Sequence, residues 1–175
     1  MASSVTIYTI GHSTRSIEEF IELLKANQIT QLIDIRTVPK SRHNPQFGQD
    51  QLPDSLSQAG IDYIYLEQLG GLRPAVKKST NTAWRNKSFR NYADYMQTSE
   101  FNQGLEKLIE LAQEKTSAIM CAEAVPWRCH RSLVADNLVI RDISVLEIIS
   151  QAKPQVHKLT SFAVVSDGQL SYPGS

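Results

Sequence analysis

The feature that most constrains this chain is the alternation, through its first half, of short apolar β-branched runs with runs of helical periodicity. Val5 to Ile10 is strand-like and is broken by Gly11-His12-Ser13. Phe20, Ile21, Leu23 and Leu24 then give an apolar helical face. Gln31 to Ile35 reads as a second strand, Asp50 to Ala59 as a short helix stopped by Gly60, and Ile61 to Leu66 as a third strand. Strand followed by helix, repeated, is the pattern of an α/β protein. It predicts a mainly parallel sheet flanked by helices in a three-layer arrangement. Ser16 and Glu19 have the spacing of a capping box for the first helix.

Further along, helices are expected over Tyr92 to Thr98, Glu100 to Glu114 and around His130 to Asn137, with a fourth strand at Ser117 to Ala122. Val139 to Ile143 and Val145 to Ile149 are short apolar runs. Phe162 to Ser166 and Gln169 to Tyr172 flank Asp167-Gly168, a two-residue hairpin signal, and this C-terminal β-hairpin is placed to cover an edge of the sheet. A length of 175 residues fits one domain, residues 1–175, with a basic irregular insertion at about 67–90. Apolar residues at 41% and charged residues at 21% exclude a disordered chain and a membrane bundle. The N-terminus lacks the basic region and apolar run of a secretory leader, and two cysteines cannot build a disulfide framework. The reading is therefore cytoplasmic, with no membrane partner.

Reactive side chains gather where strands end: Gly11-His12-Ser13 after the first, Asp34 and Arg36 after the second, Cys121 and Glu123 after the fourth. If these strands are parallel neighbours, the segments converge on the crevice where open α/β sheets bind ligands. Cys129 lies at a predicted helix start beside Arg128, His130 and Arg131. A helix N-terminus and nearby cations favour thiolate, so Cys129 reads either as a reactive group or as a structural thiol. The same helix start offers free amides to an anion, and Arg128 or Arg131 offers a planar fork. Cys121, between Met120 and Ala122, reads as an inert core thiol. Glu123 is a candidate acid or base, or else a salt-bridge partner of Arg128 or Arg131. Asp34 and Arg36 share one face of their strand as ligand contacts or as an ion pair. His12, on a glycine-preceded turn, is expected to be more exposed than a core histidine. His43 and His157 read as solvated.

Three sharper motifs fail. Cys121 to Arg128 has one residue too many for a phosphatase loop, and it contains Pro126, which donates no amide. Pro126 to Cys129 lacks one cysteine of the zinc-deaminase pattern. Cys121 and Cys129 are too far apart in sequence for a structural-zinc pair. A mixed site of His12, Cys129 and His130 stays open, but no metal ligands and no cofactor are assigned. Between Glu67 and Arg90 the cations Arg73, Lys77, Lys78, Arg85, Lys87 and Arg90 face a single acid, Glu67. Trp84, Phe89 and Tyr92 are interleaved with them, a combination suited to single-stranded nucleic acid.

Thr9-Ile10-Gly11-His12-Ser13, Asp34-Ile35-Arg36 with Pro39 and Ser41, Leu69-Gly70-Gly71, and Cys121-x-Glu123 followed by Cys129-His130-Arg131 resemble, in order and spacing, the domain of unknown function 488 family. The resemblance runs from about residue 6 to 160. It implies a compact bacterial or archaeal-type α/β domain and carries no activity with it. The resemblance supports the list of site residues and leaves their roles open: Gly11, Ser13, Asp34, Arg36, Ser41, Gly70, Gly71, Arg128, His130 and Arg131 are the expected ligand contacts, around Cys129, His12 and Glu123 as catalytic candidates. The leading reading is an enzyme, or an enzyme-like binder, for a small anionic ligand bearing phosphate or a nucleotide, clamped by Arg36 and Arg131. The alternatives are a nucleic-acid-associated module using the basic stretch, and a metal- or redox-sensing domain.

Overall fold

The computed structural model describes residues 5–174; Met1 to Ser4, where the sequence reading looked for a leader, lie outside them. The main sheet holds β1 (Thr6–Gly11), β2 (Gln31–Asp34), β3 (Asp62–Tyr65), β4 (Ser117–Cys121), β5 (Ser144–Ile148) and β6 (Gln155–Val156), in spatial order β3-β2-β4-β1-β5-β6. Strands β1 to β5 pair in parallel, and β6 closes the β5 edge antiparallel. The helices are α1 (Ile17–Ala26), α2 (Leu52–Gln58), α3 (Lys87–Tyr95), α4 (Ser99–Glu114) and α5 (Arg131–Val139).

Period-two alternation along the strands feeds two separate cores. Ile10, Leu32, Ala118, Met120 and Ile148 meet Phe20, Leu23 and Leu24 of α1 and Leu52 and Leu56 of α2. Ile7, Ile33, Ile119 and Val145 meet the side chains of α3, α4 and α5 on the opposite face. The sheet is therefore buried on both sides, as parallel sheets generally are, and the α/β three-layer expectation holds. Because β2 leaves through α2 on one face and β4 through α5 on the other, a crevice opens between the carboxyl ends of these neighbouring strands.

Local details depart from expectation in three places. The Ser16 hydroxyl accepts the Glu19 amide at 3.1 Å, but the Glu19 carboxylate turns to Arg15 at 3.3 Å instead of back to the cap. Helix α3 begins at Lys87, inside the stretch read as irregular, because the Asn86 side chain caps the amides of Ser88 and Phe89. The C-terminal hairpin, β7 (Val164–Ser166) and β8 (Gln169–Ser171), forms with Asp167 and Gly168 at positive φ. It does not cover the sheet edge, which β6 occupies; it docks on the helical layer by burying Leu170 and Tyr172. Among the described residues no helix is long and apolar enough to cross a membrane.

Candidate functional site

At the end of β2, Asp34 is fully buried and holds Arg36 by a two-pronged ion pair, with Nε donating at 2.9 Å and Nη2 at 2.7 Å. The Arg36 amide and the Tyr63 hydroxyl also donate to the same carboxylate, the latter at 2.6 Å. Burial works against the guanidinium charge, but Asp34 outweighs it and raises Arg36 above its ordinary value. The clamp leaves Arg36 Nη1 buried with no acceptor among the described residues. Asp34 is thus a positioning group, and the sequence alternative of an ion pair is the observed one.

The segment after β4 lies against the end of β1. A Cβ on Gly11 would sit 1.5 Å from the Glu123 carbonyl oxygen, so only glycine permits the approach. The His12 and Ser13 amides donate to the Cys121 and Ala122 carbonyls, both at 2.9 Å. The chain then makes a 3-10 turn over Pro126–Arg128 and enters α5 through Cys129 and His130. Arg131 is wholly buried beneath this segment. Its Nη2 donates to the Glu123 and Ala124 carbonyls at 3.3 and 3.4 Å, while Nε and Nη1 find no acceptor. No carboxylate reaches Arg131 within ion-pair distance among the described residues. The Cys121 and Cys129 thiols are the ionisable groups beside it.

Cys121 and Cys129 are both free, both buried, and interact with each other. Burial and the neighbouring Cys121 sulfur push the Cys129 thiol well up. Burial also opposes ionisation of Cys121, but the hydrogen bond from Cys129 and the charge of Arg131 outweigh it and hold Cys121 below the ordinary thiol value. Of the two thiols, Cys121 is therefore the one that ionises more readily. Between the reactive and the structural alternatives for Cys129, burial at 7% exposure favours its neutral thiol form. His130 donates from Nε2 to the Ile35 carbonyl at 2.8 Å, leaving its Nδ1 lone pair 3.3 Å from Cys129 Sγ. Burial lowers His130 to about 4, so the ring is neutral at physiological pH. A Cβ on Gly71 would lie 2.5 Å from His130 Nδ1, so this glycine lets the second loop close on the imidazole.

These groups surround a cavity of about 320 Å³ at the carboxyl ends of β2 and β4, lined by Arg36, Gly71, Cys121, Glu123, Arg128, Cys129 and His130. The first four blocks of the sequence pattern are thus represented in one place, save that Gly11, Asp34 and Arg131 act from behind the wall. Gly70 packs on Thr37, and Ser41 accepts the Asn44 amide at 3.1 Å beside a different hollow. His12 is only 3% exposed, not the more exposed histidine expected, because its ring stacks on Phe47 at 4.5 Å. Burial lowers its pKa; its Nδ1 donates to the Ser13 carbonyl, and Nε2 has no partner. Ser13 adopts positive φ, which turns the chain away from β1. The Glu123 carboxylate is exposed on the rim and pairs with neither Arg128 nor Arg131 among the described residues. No three His, Cys, Asp or Glu side chains gather as a metal-holding group among the described residues, so His12, Cys129 and His130 do not assemble one.

Sequence reasoning missed Tyr63, which locks Asp34, and Thr37 and Ser88, which complete the cavity wall beside Phe89, one of the interleaved aromatics. Their partners depend on strand register and on the docking of α3, which leave no local signal. It also misplaced His157, expected to be solvated: Nδ1 donates to Glu147 at 2.6 Å and Nε2 to Asp136 at 2.8 Å. Burial alone would lower His157, but the two carboxylates raise it to about 9. Of the aromatics interleaved with the basic stretch, Tyr92 is fully buried and donates to the Leu69 carbonyl, so it is no stacking platform. Arg73 lies 3.8 Å over the Tyr95 ring, leaving Lys77, Lys78, Arg85 and Lys87 as the exposed cations.

A parallel α/β fold with cationic and thiol side chains at its strand ends defines the class to which this chain belongs. A family model described as a domain of unknown function, DUF488, matches residues 16–138, well over half of the chain, and the chain belongs to that family. The matched span is narrower than the 6 to 160 resemblance. It takes in the Asp34, Gly70 and Cys121–Arg131 blocks but begins after Thr9–Ser13. No curated protein and no solved structure matched the chain.

Proposed function

We propose that the cavity binds a small phosphate-bearing ligand between Arg36 and Arg128, with the Cys121–Cys129 pair on the wall beside it. The observation that carries this reading is Arg36, which lines an open cavity and whose guanidinium Nη1 is buried without an acceptor among the described residues. A buried, unsatisfied charged donor is costly, and an anionic oxygen in the cavity would satisfy it. Arg131 lies behind the thiols and not in the wall, so Arg128 replaces it as the second clamp; Arg131 instead supports the thiolate at Cys121. A thiolate there is a nucleophile, and the neutral His130 beside Cys129 can accept a proton at Nδ1.

Calorimetric titration with inorganic phosphate and pyrophosphate tests the binding. Arg128→Ala, at an exposed position, and Arg36→Lys, which keeps charge but loses the fork, should each weaken binding about tenfold. Absence of saturable binding to the unmodified chain, or two variants that bind as it does, overturns the proposal.

A further inference from the structure

A second hollow, of about 460 Å³, lies on the other side of the Pro126–Cys129 segment. Its lining includes Trp84, Pro126, Trp127, Glu147, His157 and Thr160. The two cavities share a wall. Trp84 packs edge-on against Phe89 of the first cavity at 5.1 Å, and Ser132 of the second donates to the Cys129 carbonyl at 3.0 Å.

Three features of the hollow are unspent. Trp84 is held edge-on by Phe89, Phe162 and Tyr172, yet its Nε1–H is buried without an acceptor among the described residues. Trp127 is 63% exposed, an unusual position for an indole that no other ring covers. Glu147 is buried and fixed by His157 through one oxygen, while its other oxygen has no hydrogen-bond partner among the described residues. An unpartnered carboxylate oxygen and an apolar ring surface ask for a flat ring carrying N–H donors.

We infer that this hollow is a base-binding subsite for a guanine ring, which deepens the reading above by making its phosphate-bearing ligand a guanine nucleotide and rests on it for the phosphate. Guanine presents a ring N–H and an amino group side by side, which suit the Glu147 carboxylate. Its face suits Trp127 and Pro126. Adenine presents an unprotonated ring nitrogen beside its single amino group, and that nitrogen's lone pair repels a carboxylate.

Guanosine, which has no phosphate, separates this inference from the one it rests on. Titrated into the full chain and followed by tryptophan fluorescence and calorimetry, guanosine should quench and saturate below about 1 mM. Trp127→Ala, at an exposed position, should weaken it about tenfold, Arg128→Ala should leave it unchanged, and adenosine, cytidine and uridine should bind at least about tenfold more weakly. Absence of saturable guanosine binding overturns the inference. So does adenosine binding as tightly as guanosine, or guanosine binding that is lost in Arg128→Ala and kept in Trp127→Ala. Phosphate binding without guanosine binding removes the base subsite and leaves the anion cavity standing; guanosine binding without phosphate binding does the reverse.

Discussion

At Gly11 a single methyl group would collide with the Glu123 carbonyl oxygen at 1.5 Å, a backbone atom that cannot swing aside as a side chain could. Gly11→Ala should therefore cost about 3 kcal/mol, read as a lowered thermal midpoint, because the segment that carries both cysteines must lift off β1. An unchanged midpoint would mean the segment is free to move. The cysteines make a sharper residue-scale test. Cys129 is pushed up partly by the Cys121 sulfur, so Cys121→Ala should lower its ionisation midpoint. The pH dependence of Cys129 alkylation, mapped by mass, should shift downward in that variant; an unshifted profile would show that the two thiols titrate independently. Neither relation is visible along the chain, since seven residues separate the cysteines and Gly11 is over a hundred residues from its neighbour.

Elements are tied together by two buried polar clusters. Tyr63 on β3 donates to Asp34 on β2, so Tyr63→Phe removes a hydrogen bond to a buried carboxylate and should destabilise the chain by about 2 kcal/mol. The same change should loosen Arg36 and weaken phosphate binding. The second cluster joins α5, β5 and the segment after β6 through Asp136, Glu147 and His157. His157 has its folded pKa raised to about 9, above the ordinary 6.5, so the native state holds this proton more tightly than the unfolded chain. That stabilisation is complete below about pH 6.5 and is lost as pH rises through about 9, at most about 3 kcal/mol. Thermal midpoints compared at about pH 6 and pH 10 should fall less in His157→Gln than in the unmodified chain, and equal falls would remove the clamp. His157 looked like an isolated polar residue in sequence because both its partners come from other elements.

For the whole molecule, the C-terminal hairpin is built into the core. Leu170 and Tyr172 are buried with α5, the Tyr172 hydroxyl and Thr160 satisfy Asp136, and Asn81 accepts the Tyr172 amide. Removing residues 159–175 should abolish cooperative unfolding, since Asp136 would keep only His157 inside an opened core; a truncated chain with an unchanged midpoint would show the hairpin to be an appendage. The α/β class, the order of strands and helices along the chain, the Asp167-Gly168 turn and the clustering of reactive residues at strand ends were all legible in sequence. They depend on periodicity and turn chemistry, which act between residues a few positions apart. The placement of β4 between β2 and β1, the docking of the hairpin on helices, the meeting of Cys121 with Cys129 and the clamp on His157 were decided only by the tertiary structure. They depend on strand pairing and on burial, and both the partner of a strand and the charge of a thiol or imidazole are set by groups far away in the chain.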